Sequence, residues 1–583
     1  MKPIRKILCV FITITLFFPV SGISLVSAQE QEMLFVMAYG SDIGELNPLT
    51  ARSMRSAWYD MLVYDTLITY DDDLDKIPWL AESWSVSSDG LTINFTIRSG
   101  AVWHDGEDVT ASDVEFTFEY IRDGPSDLNG WSMMQNITNI VTDGDTVSCM
   151  FNQLYSFALD TLGSFWIIPE HIRNGTSPMN ARWNDHNDVE AHIGSGPFKF
   201  VERVPDEYTL LTRNDDWWGP DNQYVGQLPN IDAIRIDVII SQEARILAMR
   251  KGTADTERYE VFGAYVNEVM TYPELQLVQG VVSQWDYNWG FNVTIPGLND
   301  INVRRALSMA VNRTELINVG RLGYGTSAGA AIPSVFFPDL YDSDADFPDG
   351  DVAGANAILD SAGYVDLDGD GTRNFPDDLE TELEFDLLTL SWDDISVATG
   401  SGLVSQMASI NVTLHNIVYD DLPMYVAIYT GEYEMFTMGS SFSPIPDHVW
   451  WRTHSSNIYD WGENVFGINN ASVDSIMDDF MAATPSELPE AARNASVSIL
   501  HNIPYVPLYL SDDTHIIRKE WVNFTTPAGG PFVTYNPRTM IFMYDNGSGT
   551  VYIENDQTIL IIAIGAAAFI AGIVVVVFLV RRK

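Results

Sequence analysis

LAESWSVSSDGLTINFTIRSGAVWHDGEDVTASDVEFTFEY, residues Leu80 to Tyr120, falls into strand, loop and helix signals. Leu91, Ile93, Phe95 and Ile97 alternate with Thr92, Asn94, Thr96 and Arg98, the period of a half-buried strand. Ser99-Gly100 and then His104-Asp105-Gly106 carry turn chemistry. Thr110 with Asp113 forms a capping box, and Val114, Phe118 and Ile121 behind it make the apolar stripe of a helix. The stretch predicts a strand, a tight loop and a capped helix. It carries structure and no chemistry.

The same alternation of element types extends outward. Met33–Ala38 reads as a strand, Trp58–Leu67 as a helix, Ile231–Ile240 as a strand and Gln242–Arg250 as a helix. Asp300–Val319 reads as one strong helix with Val303, Ala306, Leu307, Ala310 and Val311 on a single face. Strands alternating with helices place the chain in the α/β class. Its 583 residues exceed one ordinary core, so two or three lobes are expected. An apolar share of 46% with 12% aromatics excludes a disordered chain.

The two ends read as targeting and anchoring segments. Lys2, Arg5 and Lys6 precede the apolar run Ile7–Val20, and Val26-Ser27-Ala28 supplies the small residues of a cleavage site, so residues 1–28 read as a signal peptide. Ile559–Val580 is an uncharged apolar stretch that as a helix would span roughly 33 Å, enough to cross a membrane. Arg581, Arg582 and Lys583 after it keep a short tail, residues 581–583, in the cytoplasm. Residues 544–558 would be the tether. The expectation is a single-pass protein of the cell membrane, with an extracellular body and a cytoplasmic C-terminus.

The ends hold 6 of the 31 basic residues and none of the 80 acidic ones, which leaves the body with 25 basic against 80 acidic side chains. So negative a surface excludes nucleic acid and anionic lipid as partners. With the signal removed, Cys149 is the remaining cysteine, and no internal disulfide can form. Asn-x-Ser/Thr sequons at Asn94, Asn136, Asn174, Asn292, Asn312, Asn411, Asn470, Asn494, Asn523 and Asn546 allow a surface glycoprotein.

Several segments, in order, carry a resemblance. They are Ala81-Glu82-Ser83-Trp84, Asp89-Gly90-Leu91-Thr92, Trp103-His104-Asp105-Gly106 and Thr110–Phe118, then Gly194-Ser195-Gly196-Pro197-Phe198 through Trp217-Trp218-Gly219. Gly290-Phe291-Asn292, Val303–Ser308, Ala355–Gly363, Ile410-Asn411-Val412 and Pro504–Tyr509 extend the series. In this order they resemble the family 5 extracellular solute-binding proteins, the peptide- and nickel-type receptors of ABC importers. The resemblance implies a two-lobed, periplasmic-binding-protein-like fold of the type II, three-subdomain kind, closing about a hinge. One lobe would comprise residues 29–69, 192–291 and 511–543, with an extra subdomain at 70–191; the other would comprise 292–510. The implied function is capture of a ligand, foremost a peptide, and delivery to ABC permease and ATPase subunits, without catalysis. Alternatives are an oligosaccharide or metal-chelate receptor, or a surface sensor or adhesin without a transporter.

By this analogy the cleft draws on Tyr39, Arg258, Tyr259, Trp285, Tyr287, Trp289, Trp450 and Trp451; flat aromatic faces with a few polar groups suit peptides and sugars alike. Arg258 could meet a ligand carboxylate. Peptide-binding relatives place an acid after a Gly-Trp pair to hold the ligand's α-amino group. Here Gly439 is followed by Ser440, Ser441, Phe442, Ser443 and Pro444, with Asp447 further on, so Ser443 and Asp447 are the candidates at that place.

Asp366, Asp368, Asp370, Thr372, Asn374 and Asp377 take the donor positions of an EF-hand-like loop and suggest one structural Ca²⁺; no other cofactor is expected. Leu383, Phe385 and Leu387 alternate as a strand, so the exit helix of that motif is missing. Gly325-Thr326-Ser327-Ala328-Gly329 matches a serine-hydrolase elbow in spacing alone, since that elbow needs a strand before it and a helix after. His104 reads as a turn residue.

Overall fold

The computed structural model describes residues 33–51, 53–71, 75–257, 263–376, 378–391, 393–441, 445–459, 462–523, 537–545, 551–555, 558–562 and 578–579. Most of the opening stretch forms as its pattern predicts. Thr92–Ile97 is a strand with Ile93, Phe95 and Ile97 buried. Ala111–Arg122 is a helix with Val114, Phe118 and Ile121 against the core. The Asp113 carboxylate accepts from both the backbone N–H and the hydroxyl of Thr110, each at 2.9 Å, an N-terminal cap contributing about 1 kcal/mol. The strand lies in a four-stranded antiparallel sheet, ordered Ala81–Val86, Thr92–Ile97, Thr146–Phe151, Ile137–Asp143. Cys149 is buried in this sheet, and burial pushes its thiol up to about 12.

The larger sheet has eleven strands and runs through both lobes. At its centre Leu275–Phe291 and Tyr505–Arg518 lie antiparallel, from Leu275 opposite Arg518 to Gly290 opposite Tyr505. On one side Thr256–Glu257, Leu34–Tyr39, Ala233–Val238, Tyr208–Arg213 and Phe198–Val204 continue it; on the other, Met435–Ser441, Glu384–Leu390 and Thr413–Tyr419. Gly325–Ser327 adds to Tyr505–Arg518 off this path. Each half has its own core, one around Trp289, Leu307, Leu387 and Leu403, the other around Phe35, Trp58 and Ile234.

Two helices differ from their patterns. The expected Trp58–Leu67 is Met54–Val63, because the Ser53 hydroxyl caps it by accepting from Ser56 N at 3.1 Å, and the chain is extended again at Tyr64. The expected Asp300–Val319 is two helices, Ile301–Ala310 and Arg313–Arg321. Asn312 interrupts it, since its side-chain oxygen accepts from Glu315 N at 3.0 Å and starts a new helix. Apolar periodicity continues through both helices and hides the break.

The ends diverge more. The signal-peptide segment lies outside the described residues. Among the described residues no helix is long and apolar enough to cross a membrane. Of the expected span, Ile559–Ile562 belongs to a strand, Thr558–Ile562, antiparallel to Val551–Asn555, and Phe578–Leu579 pairs with Leu560–Ile561; the rest lies outside the described residues. β-Branched Ile559, Ile561 and Ile562 suit a strand as well as an apolar helix, and a length count cannot separate the two. The tether is likewise strand at Tyr544–Asp545 and Val551–Asn555. The Asn292 sequon is buried: its side-chain amide donates to the carbonyls of Gly431 and Tyr433 at 3.0 and 2.9 Å, which leaves no room for a glycan in the folded chain.

His104 joins the small sheet's subdomain to the large lobe. Its Nε2 faces Gly196 O at 3.1 Å, and its Nδ1 accepts from Gly194 N at 3.2 Å, so the ring is held neutral. Burial pushes its pKa down to about 3. Gly194 is required here, because a Cβ would lie 1.9 Å from Val63 O. His104→Ala is expected to cost about 1–3 kcal/mol in urea unfolding at pH 7.5. The penalty should shrink as pH falls from 6.5 towards 3, where the unfolded but not the folded imidazole takes up a proton. A penalty independent of pH would refute the neutral-ring joint.

Candidate functional site

The two central strands cross between the lobes, and their pairing slips between Gln279 and Val282, between Val282 and Asp286 and between Tyr287 and Asn288. Among these irregularities the strand turns a polar face inward. Residues alternate across a strand, so Asp286 and Asn288 share one face while Tyr287 and Trp289 share the other. Asp286 lies opposite Ser440 in the neighbouring strand.

Asp286 is the centre of a buried network. Its carboxylate accepts from Arg452 Nη1 at 3.0 Å, Asn288 Nδ2 at 2.7 Å and Ser440 Oγ at 2.9 Å. Arg452 Nη2 also donates to Ser440 Oγ at 2.6 Å, and the guanidinium lies 5.8 Å from the Tyr505 ring centre. Burial opposes the charge on Asp286, but the adjoining guanidinium outweighs it and holds the carboxyl below the usual range. His448 stands beside the pair with Nε2 3.0 Å from Ala331 O; burial and then the Arg452 charge push its pKa down to about 4. Asp286, Asn288, His448 and Tyr505 line a cavity of about 10 Å³, completed by Ala330, Pro333 and Leu510 and just roomy enough for a water. Asn288 Oδ1 lies buried there with no hydrogen-bond partner among the described residues. The cavity thus presents an anion and a spare acceptor, with the Arg452 cation bound to that anion beside it.

The sequence-predicted residues are dispersed by comparison. Tyr39 is fully buried and meets Trp58 edge-on at 6.5 Å. Trp289 is fully buried against Phe291 at 4.8 Å. Tyr287 stacks on Tyr509 at 5.0 Å and donates its hydroxyl to Asp393 at 3.0 Å. These rings sit inside cores. Trp285 is described by its backbone, which pairs with Ser441. Arg258, Tyr259 and Ser443 lie outside the described residues. Asp447 begins the helix His448–Thr453 and accepts from Trp451 Nε1 at 3.1 Å; Trp450 donates to Asp478 at 3.3 Å and stacks on His454. Sequence reading passed over Asp286, Asn288, Ser440 and Arg452, although strand alternation beside Trp285 and Tyr287 was a signal for the first two.

In the acidic loop, carboxylate oxygens of Asp366, Asp368 and Asp370 lie within 4.8 Å of one another at the surface. Asn374 is fully buried and its oxygen accepts from Leu367 N at 2.9 Å, so it braces the loop from inside. Thr372 shares a hydrogen bond with Thr413 at 2.8 Å, and Asp377 lies outside the described residues. The Gly325–Ser327 strand pairs with Tyr509–Ser511, with no nucleophile elbow at Ser327.

Two lobes on one continuous sheet, with a buried charged cavity beside the crossing, are the architecture of a two-lobed binding protein. The chain belongs to the bacterial extracellular solute-binding proteins, family 5 ("Middle"), whose model matches residues 76–460. A Brucella ovis protein provisionally named as an ABC transporter peptide-binding protein is 28% identical over 522 residues, 85% of this chain and 91% of that one. The structure of the oligopeptide-binding protein AppA of Bacillus subtilis, in complex with a nonapeptide, superposes with a TM-score of 0.68 at 22% identity, over 88% of this chain and 99% of that one. NikZ of Campylobacter jejuni in complex with Ni(L-His) gives 0.71 at 21% identity, over 87% and 99%. At these identities the two structures show the shared fold.

Arg452→Met should destabilise the protein by about 3–5 kcal/mol in denaturant unfolding, because it leaves Asp286 buried and unpaired. The double replacement Asp286→Leu with Arg452→Met should recover most of that loss. Equal losses for the single and double variants would show that the pair is not the unit holding this junction.

Proposed function

We propose that the chain captures peptides outside the cell and hands them to the permease of an ABC importer, held to the membrane by its apolar C-terminal stretch. The observation that carries the ligand class is the Asp286–Arg452 pair with Asn288 Oδ1 at the lobe junction. A peptide offers an ammonium, a carboxylate and amide N–H groups, for which Asp286, Arg452 and Asn288 Oδ1 are counterparts in charge and hydrogen-bonding type. Asp286, on the neighbouring strand opposite Ser440, is the candidate for the role of the acid that peptide-binding relatives carry after a Gly-Trp pair. AppA, with its nonapeptide, and the Brucella protein's name favour the same class and the importer as partner. Export and anchoring are supported by the basic and apolar N-terminal segment and by the uncharged length of Ile559–Val580 before three basic residues. Closure about the crossing strands would trap the ligand, with the pairing slips as the yielding points.

Mass spectrometry of small molecules released from the purified full-length chain is expected to find peptides. Recovery of sugars or metal chelates would overturn the ligand class, and failure to crosslink to a permease in native membranes would favour a sensor. A structural Ca²⁺ in the Asp366–Asp370 turn belongs to the same reading, with the exposed carboxylates as its support. Calcium at a hundred times its Kd should then stabilise the protein by about 2.7 kcal/mol over chelator, visible as a higher Tm. An unchanged Tm would remove the loop as a site.

A further inference from the structure

The two edges of the eleven-stranded sheet are built differently. At one, Phe198–Val204 carries Lys199, Glu202 and Arg203, and its pairing slips between Phe200 and Glu202. Charges and a slip of this kind keep an edge from pairing with a further strand. At the other, Thr413–Tyr419 runs parallel to Glu384–Leu390 without a slip, from Thr413 opposite Glu384 to Tyr419 opposite Leu390. It contains no Lys, Arg, carboxylate or Pro. One edge is guarded and the other is not.

Thr413 N donates to Leu383 O at 3.0 Å and Ser391 N donates to Tyr419 O at 2.8 Å, so the odd-numbered residues turn their backbone groups to the sheet. The backbone groups of Leu414, Asn416 and Val418 therefore point the other way, along the edge. Asn416 accepts from Thr389 Oγ1 at 2.7 Å and donates to Val397 O at 3.1 Å, which turns its side chain toward the helix Asp394–Met407. His415, Ile417 and Tyr419 face the opposite side. Leu414 is buried, whereas Ile417 is 36% and Val418 51% exposed, so the accessible part of the edge runs from His415 to Tyr419. The helix that follows, Asp421–Thr430, packs against Glu384–Leu390 and leaves Leu422 and Val426, one turn apart, exposed as well.

We propose that this edge joins a second copy of the chain, strand to strand and antiparallel, about a two-fold axis at Ile417, the midpoint of the accessible stretch. In that register Asn416 of each copy exchanges both backbone hydrogen bonds with Val418 of the other. Ile417 meets Ile417 and His415 meets Tyr419, so His415-Asn416-Ile417-Val418-Tyr419 pairs with its own reverse and no like charges face each other. Asp386 beside His415, and Asp420 with Asp421 at the strand's end, lie near the join in a chain of net charge −49, so salt strengthens it.

Sedimentation velocity of the full-length chain in detergent is expected to show a monomer–dimer equilibrium that tightens as salt is raised. Val418→Pro removes an outward N–H and leaves the ladder to Glu384–Leu390 intact, and Val418→Glu sets an added carboxylate on each copy beside the axis. Each should raise the dimer dissociation constant about tenfold or more, with circular dichroism and melting unchanged. Should Val418→Pro melt lower, the exposed Val418→Glu alone carries the comparison. Register is read by mild oxidation. Ile417→Cys should give a disulfide-linked dimer, because facing residues of a non-hydrogen-bonded pair stand about 4.5 Å apart at Cα. Tyr419→Cys, about 13 Å from its counterpart, should not. A monomer at every concentration and salt overturns the proposal and leaves the edge to a strand of another protein. A dimer that neither Val418 variant weakens, or equal crosslinking of the two cysteine variants, overturns it too, and places the association elsewhere on the chain.

Discussion

The antiparallel pairing of Leu275–Phe291 with Tyr505–Arg518 is the constraint on which the rest depends. Each strand is long enough to belong to one lobe at one end and to the other lobe at the other. Their hydrogen bonds make two separate cores into one sheet. A ladder resists shear along its length but bends where pairing slips. The slips between Gln279 and Asn288 fall where the strands pass from one core to the next, and they overlap the polar face of Asp286 and Asn288. The irregular pairing and the buried network thus share one stretch of strand.

Around that crossing, the segments by which the chain resembles its family act mainly as joints. His104 ties its turn to Gly194 and Gly196. Trp218 and Trp79 both donate indole N–H groups to the buried Asp65, at 2.9 and 2.8 Å, and burial raises that carboxyl to about 6. Arg304 donates to the carbonyls of Asn502 and Ile503, and Arg313 to that of Pro507, anchoring two helices to the start of the second crossing strand. A buried carbonyl or carboxylate needs a donor of the right reach, and these side chains supply it. They hold the architecture together, which is why the most recognisable stretch of the sequence says much about the fold and little about what is bound.

The legible part of the molecule is therefore its local structure. The strand Thr92–Ile97 and the capped helix after Thr110 form as patterned, since period and cap chemistry act over a few residues. The break at Asn312 was harder to see, because a side-chain cap inside a continuing apolar stripe leaves the period intact. Aromatic residues on the crossing strand drew attention as ligand contacts, yet Tyr287 and Trp289 face the core. The polar residues Asp286 and Asn288 lie one residue out of step with them.

By itself, the sequence determined the α/β class, the family, the order of elements and the excess of acid that disfavours nucleic acid. Those properties follow from composition and from spacings of a few residues. The tertiary structure alone decided that Asp286 meets Arg452, 166 positions away, and that Ser156 of the small sheet's subdomain meets Met481 of the facing lobe. Such pairings depend on strand register and on how separately folded cores dock. Neither is encoded in any local period, because each is settled by the packing of surfaces that are distant along the chain.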